Sequence, residues 1–107
     1  MATKVNFLID QGTSFATTIN LNDDDGNPLD LTGYTVAGQM RKAYTSQNYV
    51  AFVANLALGE LNLGLIANTT NDLSAGRYVY DVELTDSNGI VTRLLEGIIT
   101  VTPQVTR

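Results

Sequence analysis

The chain has no cysteine, no histidine and no tryptophan among its 107 residues. Without cysteine there is no disulfide, no thiolate metal ligand and no cysteine nucleophile, and the sequence carries no mark of a redox compartment. Without histidine, the usual general base and the commonest zinc and copper ligand are missing, which leaves carboxylates, tyrosines and hydroxyls as the only groups for chemistry. Charge is sparse, at 16% of residues, and one-sided: 11 acidic against 6 basic residues give a formal net charge of −5. Such a surface repels phosphate backbones and anionic head groups over distances near a Debye length. The cations are scattered and only Arg41 and Lys42 adjoin, so neither nucleic acid nor a membrane is an expected partner. No apolar run approaches the roughly 20 residues that cross a bilayer, and the opening "MATKVNFLID" has no signal-peptide core. The expected product is soluble and made in a cytoplasm.

What is present is alternation. Apolar residues make up 44% of the chain, enough to fold, and the length suits one domain over 1–107. "SFATTINLN" sets Phe15, Thr17, Ile19 and Leu21 on one face of a strand, "ELNLGLI" sets Leu61, Leu63 and Leu65, and "RYVYDVEL" sets Tyr78, Tyr80, Val82 and Leu84. Weaker strand patterns run through "TKVNFLI" (Val5, Phe7 and Ile9 inward), "TVAGQMRK" (Val36 and Met40 inward) and "YVAFVANL", which is apolar on both faces. The closing "IVTRLLEGIITVT" has no single clean alternation, because Leu94 adjoins Leu95 and Gly97 follows Glu96; a β-bulge there would change which face is buried.

About seven short strands result, separated by glycine and asparagine-rich punctuation such as "DDDGNP", "LTGY", "TSQN", "SAG" and "DSNG". Only "ANTTNDLSAG" has room for a helical turn, with Thr69 or Thr70 as its cap. The pattern predicts an all-β fold, an antiparallel β-sandwich, with a small barrel as the competing architecture. In "LSAGRYVYDVEL", Leu73 lies three residues before Gly76 and Tyr78 opens the following strand. That is the arrangement of the tyrosine corner in immunoglobulin-like sandwiches, where the ring packs inward and the hydroxyl bonds back to the corner's backbone.

The three consecutive aspartates of "LNDDDGNPLD" raise the question of a metal site. An EF-hand loop wants ligands at positions one, three and five, glycine at six and a bidentate glutamate at twelve. With Gly26 at the sixth, Asp23 and Asp25 fall on the third and fifth, but Leu21 and Thr32 occupy the first and last. A turn steered by Gly26 and Pro28 is the better reading, with Asp23 and Asp25 as weak metal candidates; no metal and no cofactor are expected. "DSNG" at Asp86 to Gly89 reads as a hairpin turn. Asp81 and Glu83 share one strand face, which superficially resembles a glycosidase pair. A solvated face pairing with Arg77 or Arg93 explains them better. No serine has a base to activate it and no phosphate loop is present. No catalytic residue is expected.

Tyr44, Tyr49 and Phe52, in "AYTSQNYVAFVANL", either point outward as a docking patch or complete the core. "VTPQVTR" is strand-like after Pro103 and could add itself to a neighbour's sheet edge. Taken together, "QGTSF", "DDDGNPLDLTGYT", "QMR", "LSAGRYVYDVELTDSNG" and "EGIITVTP" resemble small immunoglobulin-like structural domains of tailed bacteriophage virions. The similarity is to the amino-terminal domain of baseplate upper proteins and to short neck or decoration proteins, and runs from about Gln11 to Thr102. It implies a virion component, not an enzyme. Its contacts would be with other virion proteins, as a homo-oligomer or as lattice-bound copies, and Gly26, Pro28, Leu31, Gly33, Gly76 and Tyr78 would be structural. The chain is read as a whole protein where the baseplate pattern belongs to the first domain of a longer one. A carbohydrate- or host-surface-binding module is the alternative, with Tyr34, Tyr44 and Tyr49 as its only plausible aromatic set.

Overall fold

Residues 3–105 are described by a computed structural model, in which the two-residue period becomes two facing sheets. In chain order the elements are β1 (Thr3–Lys4), β2 (Phe7–Asp10), β3 (Phe15–Asn20), β4 (Thr35–Arg41), β5 (Val50–Ala51), β6 (Val53–Ala57), β7 (Glu60–Leu65), α1 (Ala67–Asn71), β8 (Gly76–Thr85) and β9 (Val91–Thr102). The larger sheet runs β1-β9-β8-β4-β5, with β2 continuing along β9 beyond β1, and the smaller runs β3-β7-β6. Leu61, Leu63 and Leu65 of β7 face Tyr78, Tyr80 and Val82 of β8 across the interior. Ile9, Met40, Phe52, Ile99 and Val101 fill the same core. Burying each such side chain contributes about 1.5–3 kcal/mol, the bulk of what offsets chain entropy.

Seven alternating segments become nine strands among the described residues, because two of them break. "TKVNFLI" is interrupted at Val5 and Asn6, where the Val5 amide donates to the Glu96 carbonyl (3.0 Å) and Asn6 Oδ1 accepts from the Ile98 amide (3.0 Å). Gly97 permits that crossing, since a Cβ there would lie 2.2 Å from the Val5 carbonyl oxygen. "YVAFVANL" is not one strand. Its first part pairs with β4 in the large sheet, its second with β7 in the small one, and Phe52 between them is 8% exposed in the core. The Phe52 amide donates to the Gly38 carbonyl at 2.9 Å, and the bare Cα of Gly38 leaves room for the ring. A segment apolar on both faces is what a chain needs when it changes sheet.

Two further expectations are corrected. The sandwich is not wholly antiparallel: β1 and β2 run parallel to β9, with Phe7 opposite Ile99 and Asp10 opposite Thr102. The helical turn is not capped by Thr69 or Thr70. Ile66 holds the N-cap position without a side-chain bond, and Thr70 is fully buried inside the turn, its hydroxyl donating to the Thr13 carbonyl at 2.6 Å. In the closing strand, Val82 pairs with Leu95 and Glu83 with Arg93. Leu94 is therefore the extra residue of a bulge, and it packs, partly buried, against the same core that holds Leu95.

Tyr78 sits at the corner between α1 and β8. Its ring is 7% exposed and its hydroxyl donates to the Ser74 carbonyl at 2.9 Å, while Gly76 takes a φ of 132°. Tyr78→Phe should cost about 1–3 kcal/mol, because the Ser74 carbonyl loses its partner; urea denaturation measures it. Tyr80, two residues on, is 3% exposed and donates to the Val5 carbonyl. Burial pushes its hydroxyl from 10.0 up to about 12. Below pH 10 both the folded and unfolded forms keep the proton; between 10 and about 12 the unfolded chain loses it first, so stability falls as pH rises through that window. The urea midpoint should therefore drop more steeply over this range in the wild type than in Tyr80→Phe.

Candidate functional site

The outward face of the large sheet can be laid out from its register. Arg41, Val79 and Ile98 form one row across β4, β8 and β9; Gln39, Asp81 and Glu96 form the next; Ala37, Glu83 and Arg93 a third. On the other side of the first row lie Arg77 and Thr100, with Leu8 of β2 opposite Thr100. Leu8 is 64% and Ile98 40% exposed. Arg93 reaches Asp81 at 3.5 Å and Glu96 at 3.6 Å, half in solvent, so these pairs are worth at most about 1 kcal/mol each. Four cations (Lys4, Arg41, Arg77 and Arg93) and four carboxylates (Asp10, Asp81, Glu83 and Glu96) share this face, which is thus neutral within an acidic chain.

The loop between β4 and β5 is wound around Arg41. Its guanidinium donates to the Ser46 carbonyl, to the Gln47 carbonyl (3.2 Å) and to Gln39 Oε1 (3.0 Å), and lies 5.0 Å from the centre of the Tyr49 ring. A planar cation with five donors can do all of this at once. The Ser46 amide donates to the Ala43 carbonyl at 3.0 Å, closing the loop's own turn. Tyr44 and Tyr49 are thereby held outward, 78% and 53% exposed. Tyr44 borders a shallow cavity of about 360 Å³ above Val79, Asp81 and Arg93. On the loop's other side an open cleft of about 550 Å³ separates Tyr49 from the tyrosine corner, with Lys42 Nζ standing 4.4 Å over the Tyr78 ring and Asp72 across from it.

These two sheets and their connections form an immunoglobulin-like β-sandwich. The chain matches no protein family and no curated protein. Among solved structures it is similar to an internalin-like protein of Listeria monocytogenes, with 21% identity and a TM-score of 0.53 over 94% of this chain. It is similar also to the SrpA adhesin of Streptococcus sanguinis (10%, 0.53, 92% of this chain) and to a GspB Siglec domain (14%, 0.50, 94% of this chain). The chain spans 28%, 55% and 54% of those three chains. Similarity at this level of identity concerns the fold.

The aspartate loop is a backbone device. Asp23 Oδ1 accepts from the amides of Asp25 (2.9 Å) and Asn27 (3.0 Å), the Gly26 amide donates to the Asp23 carbonyl (3.0 Å), and Gly26 has a φ of 84°. Asp86 repeats the pattern: its Oδ1 accepts from Asn88 and Ile90, both at 2.9 Å, with Gly89 at φ 83°. Among the described residues no three carboxylates gather as a metal site. Pro28 bridges to Asn22 and packs under Gly59, where a Cβ would lie 2.6 Å from the proline ring. Leu31 is buried, Gly33 takes φ 83° in a turn closed by the Tyr34 amide on the Leu31 carbonyl, and Tyr34 is half-buried. Asp30 accepts from both the hydroxyl and the amide of Thr32, which lowers its pKa.

The proposed aromatic set therefore divides. Phe52 belongs to the core, while Tyr44 and Tyr49 share one loop and Tyr34 lies at the opposite end of β4. The closing segment folds back: the Gln104 amide donates to Gln11 Oε1 (3.1 Å) and its side chain to Asn71 Oδ1 (2.7 Å). The last two residues of "VTPQVTR", 106–107, lie outside the described residues. Sequence reading missed Arg41. Nothing in the sequence marks that role, because its acceptors in the loop are the backbone carbonyls of Ser46 and Gln47. Replacing Asp23 with alanine should cost about 1 kcal/mol in urea denaturation, and with asparagine clearly less, because the amide oxygen still accepts from the turn. Added calcium should leave the melting temperature of the wild type unmoved.

Proposed function

We propose that the chain is a non-enzymatic structural component of a tailed bacteriophage virion, attached through protein contacts to the tail, neck or baseplate, or to the capsid surface as a decoration protein. The phage assignment rests on the sequence resemblance between Gln11 and Thr102. Attachment is supported by one observation above others: the large sheet's outward face combines exposed apolar side chains, Leu8 and Ile98, with the outward Tyr44 at its border and balanced charge. Interfaces favour that composition, with aromatics and arginine enriched at their centres. The aspartates that looked most like chemistry are occupied with turn amides. A standard contact covers about 800 Å² per partner, and repetition on a symmetric particle adds avidity.

Binding of a surface glycan is the second reading. It is favoured by Tyr49 bordering the cleft beside Lys42, since a ring and a cation suit an acidic sugar. Adhesin and Siglec domains of the same fold are consistent with it.

Mass spectrometry of purified particles whose genome encodes this chain should find it, at a copy number matching the symmetry of its station. Ile98→Asp and Tyr44→Ala, each folded by circular dichroism, should lower its incorporation severalfold. Absence from the particles would end the structural reading. Glycan-array binding lost in Tyr49→Ala would promote the other.

A further inference from the structure

The two sheets treat their edges differently. At one border of the large sheet, β1 and β2 carry Lys4 and Asp10 and are interrupted at Val5 and Asn6; at the other, β5 is two residues long. Short, charged or broken edges resist adding another strand. The small sheet has neither protection. Its outer strands, β3 ("FATTIN") and β6 ("VANLA"), pair only with β7 among the described residues and carry no charge, no proline and no bulge.

Of these two open edges, β6 has the stronger reason to be covered. Val53 at its start and Leu58 just past its end are 59% and 68% exposed, whereas no large apolar residue of β3 is similarly bare. Across the small sheet, Thr18, Asn62 and Asn55 lie directly opposite one another, linked by the Thr18 hydroxyl on Asn62 Oδ1 (2.7 Å) and Asn62 Nδ2 on Asn55 Oδ1 (3.2 Å). That ladder ends at the β6 edge on an amide.

Charge selects the occupant and its direction. The end of the molecule formed by the β3–β4 connection, the β6–β7 turn and the β8–β9 hairpin carries Asp23, Asp24, Asp25, Asp30, Glu60 and Asp86, and no basic residue occurs in those segments. Asp30 borders one cavity with Leu56, Ala57 and Leu58, so the acidic end adjoins the end of β6. The start of β6 follows β5, whose Val50 pairs with Met40 beside Arg41 and Lys42. An antiparallel partner identical to this chain sets each acidic end toward the other's Arg41 and Lys42, two cations faced there by the carboxylate of Asp72.

We infer that β6 is a self-pairing edge, joining two copies about a two-fold axis through Asn55 into a six-stranded sheet. In that register Asn55 opposes its own equivalent, Val53 opposes Ala57 and Ala54 opposes Leu56, so faces match and large residues meet small ones. Five paired residues fall short of the roughly 800 Å² per partner of a standard interface. The dimer is accordingly weak in solution and salt-sensitive, and gains from being held on an array. This goes beyond attachment to a particle and does not depend on it.

Sedimentation velocity over a wide concentration range is the test. The wild type should shift from monomer toward dimer as concentration rises, with the dimer fraction falling severalfold at high salt. Asn55→Lys and Asn55→Asp should each stay monomeric, because like charges then face each other, and mixing the two in equal amounts should restore a dimer. Thr18→Lys, the same kind of change on the β3 side, should dimerise like the wild type. A wild type monomeric throughout, a lysine–aspartate mixture that fails to pair, or a dimer lost in Thr18→Lys but kept in Asn55→Lys would each overturn the inference.

Discussion

A tyrosine can be buried at a profit only if its hydroxyl finds an acceptor, and this chain buries two on one strand, two residues apart. The acceptors they use determine how the rest of the molecule is arranged. Tyr78 takes the Ser74 carbonyl and thereby fixes the corner by which the chain passes from α1 into β8. Tyr80 takes the Val5 carbonyl and thereby fixes the amino-terminal strand against the opposite side of β9. That second bond is possible because Gly97, directly across from Tyr80, leaves space for Val5 to approach. Both rings then complete a core in which Phe7 and Phe52 each pack against Tyr80 at centroid distances of 5.6 and 6.0 Å. One strand thus links local turn geometry, sheet order and the packing of the interior.

Charge is sorted as strictly as polarity. Four cations and four carboxylates balance on the outward face of the large sheet, the edge strands of the small sheet are neutral, and six acids collect at one end. An excess of one sign confined to an end keeps copies of the chain apart there while leaving the flat surfaces free of long-range repulsion. The acids at that end are also employed locally, since Asp23, Asp30 and Asp86 each satisfy backbone amides that a tight turn would otherwise leave exposed. Solubility and turn formation are served by the same side chains.

Much of this was legible in the residues themselves. Strict alternation identified β3, β7 and β8 with their inward faces, because one-sided burial leaves a period of two that only the strand can produce. The glycine and tyrosine at Gly76 and Tyr78 announced the corner. The sequence was less clear wherever a residue's role depends on a distant neighbour. Phe52 looked equally suited to surface and core, and what settles it is the gap above Gly38 on another strand. The break at Val5 and Asn6 depends on Gly97, ninety-odd residues away in the chain. Thr70 read as a helix cap, yet its hydroxyl serves the Thr13 carbonyl across the fold. The Arg41 loop was invisible for the same reason, since backbone carbonyls leave no trace in a one-letter string. Of the outward face, the residues could be read off, but not the register that sets Ile98 beside Val79 and Arg41.

The parallel run of β2 along β9 has a mechanical meaning. Thr3 lies beside Leu95 and Asp10 beside Thr102, so the first and last described strands run side by side in one direction, from the level of Leu95 to that of Thr102. Tension applied between Thr3 and Thr102 acts along both strands rather than across them. The connecting hydrogen bonds are then loaded together in shear, and must fail as a set, instead of opening one after another like a zip.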